Sequence, residues 1–139
     1  MAKTFKVEII TPYRVFFSET TESVIVTSVD GEIEFLADHE PVVTPIAIGP
    51  ARLLVSGTRK TAFLSDGFLE MENNKLTILV GAAEWPEEID VERAGRALAR
   101  AVKRLSDRTF AWESTRASLA EKRAETRLRI AGLAKKADS

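Results

Sequence analysis

The chain contains no cysteine, one histidine and five prolines, and no proline follows Pro86, among its 139 residues. Without cysteine there can be neither disulfides nor thiolate metal sites. With one histidine, His39, an imidazole-based metal centre or catalytic cluster has little to draw on, so no metal is expected. No run approaches the roughly eighteen apolar residues that cross a bilayer. The N-terminus, MAKTFKVEII, passes straight into an alternating pattern and lacks the apolar core of a signal peptide. A soluble intracellular protein is expected, with any membrane association made through a partner.

The net charge of −1 hides an asymmetry. The first 84 residues hold seven Lys/Arg against twelve Asp/Glu, and the remaining 55 hold thirteen against nine. The acidic part gives no reason to expect nucleic-acid binding. The basic part suits an acidic protein surface or a phosphate-bearing ligand better than a nucleic acid.

Residues 5–84 read as all-β. FKVEII alternates Phe5, Val7 and Ile9 with Lys6 and Glu8, which predicts one buried and one wet face. Thr11-Pro12 ends that run, and RVFFSE and ESVIVTSV follow. Asp30-Gly31 reads as a hairpin turn before EIEFL. Pro41, Pro45 and Pro50 predict short or edge strands in the middle of the domain. ARLLVS and KTAFLS flank Gly57, and GFLEME and KLTILV flank Asn73-Asn74, as two further hairpins. Strands of about five residues with turns about every ten suggest a sandwich or barrel.

The character changes at Asp90. Val91, Ala94, Leu98, Ala101, Val102 and Leu105 recur at spacings of three and four, predicting a helix over 90–105 with Asp90 as N-cap. SDRT at 106–109 is a candidate turn. A second helix is predicted from about Trp112 to about Lys135, with Ala117, Ala120, Ala124, Leu128 and Ala131 as its seam. Two helices joined this closely normally fold into an antiparallel hairpin. A buried Leu contributes roughly 1.5–3 kcal/mol, against the ~0.8 kcal/mol of a single CH₂. A seam made mostly of alanine therefore holds weakly, while alanine's helix propensity lets each helix survive separation. An ordinary stable hairpin fits the periodicity as well.

Three groups of residues are candidates for function. His39, between Asp38 and Glu40, reads either as a general base or as a loop histidine fixing the turn before Pro41; no second cluster supports catalysis. Asp30, Gly31, Glu32 and His39 are candidates for facing a partner. Arg93, Arg96, Arg100 and Arg104 form one stripe, and Arg116, Arg123 and Arg127 another. Like charges four residues apart repel by a few tenths of a kcal/mol. Acidic neighbours (Glu92, Glu113, Glu121, Glu125), an acidic partner or a polyphosphate would each offset that repulsion.

TPYRVFFS, then DGEIEFLADHEPVVTPIAIG, then SDGFLEM, then EIDVERA resemble, in this order, the epsilon subunits of bacterial F-type ATP synthases. The chain departs from that pattern at Asp66, where glycine is more usual, and at Trp85, unusual in the linker. The resemblance implies a flattened β-sandwich or barrel of about ten strands, residues 1–86, followed by an antiparallel two-helix hairpin, residues 87–139. It implies a non-catalytic central-stalk subunit that docks on the gamma subunit and the c-subunit ring. The helices would reach the alpha and beta catalytic subunits when extended, restraining ATP hydrolysis, and release it when folded. The implied location is the cytoplasmic face of the bacterial inner membrane, peripheral and held only through the complex. No cofactor is required, but ATP is implied as a regulatory ligand. Some members bind it through a motif that reads here Ile89-Asp90-Val91-Glu92-Arg93-Ala94, with an upstream acid at Glu84 and further arginines at Arg100, Arg123 and Arg127. A stand-alone ATP-binding regulator unrelated to the synthase is the alternative reading.

Overall fold

The computed structural model describes residues 3–107 and 111–138, with side chains of the last helix described over 115–132. The chain divides into two compact units, Met1–Trp85 and Pro86–Ser139.

The first unit has ten strands: β1 (Phe5–Ile10), β2 (Val15–Thr21), β3 (Ser23–Ser28), β4 (Gly31–Phe35), β5 (Val42–Ile46), β6 (Gly49–Val55), β7 (Thr58–Leu64), β8 (Gly67–Glu72), β9 (Lys75–Val80) and β10 (Ala83–Glu84). They form two five-stranded sheets, ordered β2-β1-β9-β8-β5 and β10-β7-β6-β3-β4. All pairings are antiparallel except β1 with β9, which run parallel. The core lies between the sheets. The inward residues of β1 are Phe5, Val7 and Ile9, as their alternation predicts, and they meet Leu69, Met71, Leu76 and Ile78 of their own sheet and Val24, Val26, Phe35, Leu53 and Leu64 of the other.

Turn chemistry fixes the register. Ser56 and Gly57 (φ 50° and 78°) and Asn73 and Asn74 (φ 52° and 60°) are the central residues of two-residue hairpins. Positive φ at both positions matches the right-handed twist of the flanking strands. The β3–β4 turn differs in register from the reading above. Its two connecting residues are Val29 and Asp30, while Gly31, at φ 121°, already pairs with Ser28. Gly67 answers to close packing instead: a Cβ there would collide with the carbonyl oxygen of Leu79 and lie 2.9 Å from Val80 Cα.

Pro45 sits on β5, at the edge of its sheet, where a missing N–H costs least. Pro50 was expected on a short or edge strand, yet β6 is seven residues long and interior. The reason is local: β3 pairs with β6 only over Arg52–Leu54, so at Pro50 no ladder exists on that side.

In the second unit a 3₁₀ turn, Pro86–Glu88, precedes α1 (Val91–Ser106) and α2 (Ala111–Asp138). Asp90 caps α1 as predicted, its side chain accepting from the Arg93 N–H at 3.0 Å. At the other end the Asp107 N–H donates to the Lys103 carbonyl. Ser106 belongs to α1, and the rest of the expected turn, 108–109, lies outside the described residues. The helices pack against each other. Ala94, Ala101, Ala117, Ala124 and Ala131 are buried, with Leu98, Leu105, Ala120 and Leu128 half-buried. Val91 and Val102, expected in the seam, are 41% and 49% exposed instead. The buried line runs 94, 98, 101, 105, and one helix contact covers only part of a broad apolar arc. Thr126 and Ile130, which the alanine periodicity did not select, are buried, the hydroxyl of Thr126 donating to the Lys122 carbonyl at 2.7 Å.

Candidate functional site

An apolar row crosses the outer face of the first sheet. The register aligns Val15 with Ile10, Ile10 with Leu79, Leu79 with Phe68, and Phe68 with Pro45. Val15, Leu79 and Phe68 are 59%, 52% and 60% exposed, and Val43, two residues from Pro45 on β5, is also exposed. Tyr13, in the turn leading into β2, is exposed too. The next row inward is polar on its inner strands: Glu8, Thr77 and Glu70 align in register. Beyond it Lys75 reaches back to Glu8, Nζ to Oε1 2.7 Å. That hydrogen bond, helped by the ammonium charge, holds the Glu8 carboxyl below its ordinary pKa. The face is thus graded, ionic toward the start of β1 and apolar toward its end. A contiguous exposed apolar row with a polar border is the form a protein-docking surface takes.

The four candidate loop residues fall in two places. Asp30, Gly31 and Glu32 lie at the start of β4, where Ser28 Oγ ties the turn to the Gly31 carbonyl at 2.7 Å and Glu32 pairs with Arg52 at 2.6 Å. His39 follows the far end of β4, about five residues of extended chain, or ~16 Å, away. Its Nδ1 is 2.7 Å from the Glu40 carbonyl and therefore donates, and its ring lies 4.8 Å from that of Phe35. Asp38, in the left-handed region at φ 65°, donates its N–H to Asn74 Oδ1 at 2.8 Å. The Asp38–Asn74 bond ties the 36–41 loop to the β8–β9 turn. Among the described residues no group of three His, Asp or Glu is arranged to hold a metal ion.

In the second unit the segment Ile89–Ala94 has a local explanation for three of its residues. Ile89 and Ala94 are buried and Asp90 is the cap. Packing does not account for Arg93, which is exposed, as are Arg96, Arg100 and Arg104 on α1 and Arg116 on α2. Arg123 and Arg127 are half-buried and stand one turn apart on α2. Glu84 belongs to the other unit, on β10, and is half-buried. Chemically, the hairpin offers guanidinium groups on two packed helices, and guanidinium is the group best suited to bind phosphate or carboxylate bidentately.

Two family models together cover nearly the whole chain: the β-sandwich domain of the ATP synthase delta/epsilon chain matches residues 4–86, and its long α-helix domain matches residues 87–132. The chain belongs to the ATP synthase delta/epsilon family. Within it, the chain is 46% identical over 132 residues to the ATP synthase epsilon chain of Caldanaerobacter subterraneus subsp. tengcongensis, covering 94% of this chain and 96% of that one. It is 48% identical over 109 residues to the epsilon chain of Carboxydothermus hydrogenoformans, covering 78% and 81%. The fold is shared with a chain of the Euglena gracilis mitochondrial ATP synthase at a TM-score of 0.78 and 22% identity, covering 94% of this chain and 81% of that one. Ten strands followed by two helices are what family membership leads one to expect. Among the described residues no helix is long and apolar enough to cross a membrane.

Sequence patterning does not by itself locate the outward apolar row, because its members lie on five different strands. The signal was present at Phe68: in GFLEME it shares a face with Glu70 and Glu72, so a large ring stands where alternation puts charge.

Proposed function

We propose that this chain is the epsilon-type subunit of a rotary ATP synthase, a non-catalytic part of the central stalk that docks its sandwich on the gamma subunit and the c-ring. The observation that carries this reading is the apolar row Val15–Ile10–Leu79–Phe68–Pro45. A monomer has no use for a phenylalanine 60% exposed beside an exposed leucine on a flat sheet face. We assign that row to the gamma subunit and the exposed β3–β4 turn, with Val29 and Asp30 at its tip, to the c-ring. Family membership supports a place in the ATP synthase complex, and the exposed row and turn support dividing its contacts between two surfaces.

The helical unit acts as the regulatory element in this reading. Its alanine seam gives little contact energy, and its exposed arginines favour acidic surfaces on the alpha and beta subunits. ATP serves as the ligand that favours the folded hairpin, held by Arg93, Arg100, Arg123 and Arg127, with Ile89, Asp90 and Ala94 beside them in the same unit. Any ligand that binds one state better shifts the population toward it.

The docking assignment is tested by co-purification with gamma after Phe68→Asp. The expected result is loss of gamma capture with an unchanged β-type circular dichroism spectrum. Undiminished capture would remove the row from the interface. For the nucleotide, calorimetry on the Arg123→Ala, Arg127→Ala double variant is expected to show ATP affinity weakened by no more than a few kcal/mol; equal affinity refutes the clamp.

A further inference from the structure

Within the first unit, one residue ties three segments together. Asn74, the second residue of the β8–β9 turn, sits in the left-handed region at φ 60°. Asparagine reaches that region more readily than most residues. Its side chain meets two backbone groups from distant parts of the chain. Oδ1 accepts from the Asp38 N–H at 2.8 Å, and Nδ2 donates to the Thr4 carbonyl at 3.2 Å. These partners leave the amide one orientation, since an N–H can only donate and a carbonyl can only accept. The Asn74 carbonyl accepts in turn from the Lys6 N–H at 3.2 Å. The β8–β9 turn, the run into β1 and the 36–41 loop thus meet at a single asparagine.

All three lead into strands of the docking face. The β1–β9 ladder begins at Lys6 and Lys75 and ends at Ile10 and Leu79, two members of the apolar row. The 36–41 loop leads into β5, which carries Pro45 of that row and Val43, 72% exposed. β5 is an edge strand and pairs with β8 alone, so its place depends on how its two ends are fastened. After it, the Ala47 N–H donates to the Thr27 carbonyl at 2.9 Å. Before it, the loop is fastened by the Asp38–Asn74 bond and by the His39 ring against Phe35. The Lys3–Asp38 ion pair joins two exposed side chains at 3.4 Å and adds little.

We propose that Asn74 is a positioning residue for docking. Its amide holds the 36–41 loop, and through it the start of β5, where Val43 joins the surface that meets the partner. The partner is the gamma subunit, so the inference deepens the docking reading and rests on it for its purpose. The hairpin itself asks only for positive φ at residue 74, which glycine supplies without strain. Glycine has no amide side chain. The clamp is therefore a property of asparagine separable from the turn.

Asn74→Gly keeps the turn and removes the clamp. In the full-length chain the Asp38 amide is expected to exchange roughly three- to tenfold faster, the loss of one hydrogen bond, while the β8–β9 ladder amides keep their protection. Asn73→Gly makes the same backbone change one residue earlier and is expected to leave Asp38 protected. Asn74→Asp keeps an oxygen toward the Asp38 N–H but sets another against the Thr4 carbonyl. It is expected to leave Asp38 protected and to speed exchange at Lys6. Unchanged Asp38 protection in Asn74→Gly, equal acceleration in Asn73→Gly, or unchanged Lys6 exchange in Asn74→Asp overturns the clamp. For docking, Asn74→Gly is expected to weaken gamma capture several-fold, with Asn74→Asp between it and the parent chain. Capture unchanged in Asn74→Gly but lost in Phe68→Asp overturns the positioning role alone. Capture unchanged in both overturns the docking reading, and the exchange rates still decide the clamp.

Discussion

The two units of this chain are held together by different kinds of side chain. Between the sheets of the sandwich stand Phe5, Phe35, Ile9, Leu53, Leu69, Met71 and Ile78, all fully buried. In the helical unit the buried side chains are mainly alanines, joined by Ile89, Thr126 and Ile130, with leucines only half-buried. At about 25 cal/mol per Å² of apolar surface, a phenylalanine or leucine buries several times what an alanine methyl can. The sandwich is therefore the rigid body. The helices depend far more on their own backbone bonds, caps and propensity. One chain thus carries a platform that resists change and an appendage whose internal contacts are cheap to break.

That contrast can be broken or sharpened by measurement. The largest effect is expected from Phe35→Ala, which empties a site 1% exposed in the core of the sandwich. A loss of about 3–5 kcal/mol is expected in denaturant unfolding of the sandwich. A loss comparable to that of a single seam alanine would mean the two units are not so different. Asp90→Ala comes next. It removes the side chain that accepts from Arg93, with an expected cost of about 1 kcal/mol, read as faster exchange in the first turn of α1 while the β amides stay protected. Gly95→Ala should act in the opposite direction. A methyl at Gly95 meets no atom within 4 Å, so α1 is expected to gain about 0.5–1 kcal/mol, seen as slower exchange along the helix. A loss there would show that the glycine serves a close approach in another arrangement of the helices.

The smallest effect concerns pH. Because Lys75 lowers the folded pKa of Glu8, their pairing adds stability above the ordinary carboxylate range, and that share is lost as pH falls through the folded value. Glu8→Gln should flatten the acid limb of the sandwich's stability curve slightly and leave the neutral limb nearly unchanged; an unaltered acid limb would show that the pair contributes nothing.

Much of the architecture was legible because the local rules agree with one another. β1 was readable from Phe5, Val7 and Ile9, the β6–β7 and β8–β9 hairpins from Gly57 and Asn73-Asn74, and the start of α1 from Asp90. Each of these signals acts over a few residues, so one chain segment contains all the information. The seam was only partly legible. Val91 and Val102 share the periodicity of Ala94 and Ala101, and a helix repeat cannot say which part of a wide apolar arc a neighbour will cover. The Asp30-Gly31 turn was placed one residue late because glycine at positive φ marks either a turn or a strand's first residue. Of the candidate site, the Asp90 cap and the burial of Ala94 followed from sequence, whereas the burial of Ile89 and the separation of His39 from Asp30–Glu32 did not.

Residue order by itself determined the all-β half, the basic helical half, the absence of thiol chemistry and the family likeness, because alternation, helical repeat and turn preference are properties of neighbours along the chain. Only tertiary structure decided that β1 runs parallel to β9, and that Val15, Ile10, Leu79, Phe68 and Pro45 fall on one line. It alone placed Asn74 between Thr4 and Asp38. Those arrangements join residues tens of positions apart, and their register is set by how two sheets close over a shared core, which no single segment encodes.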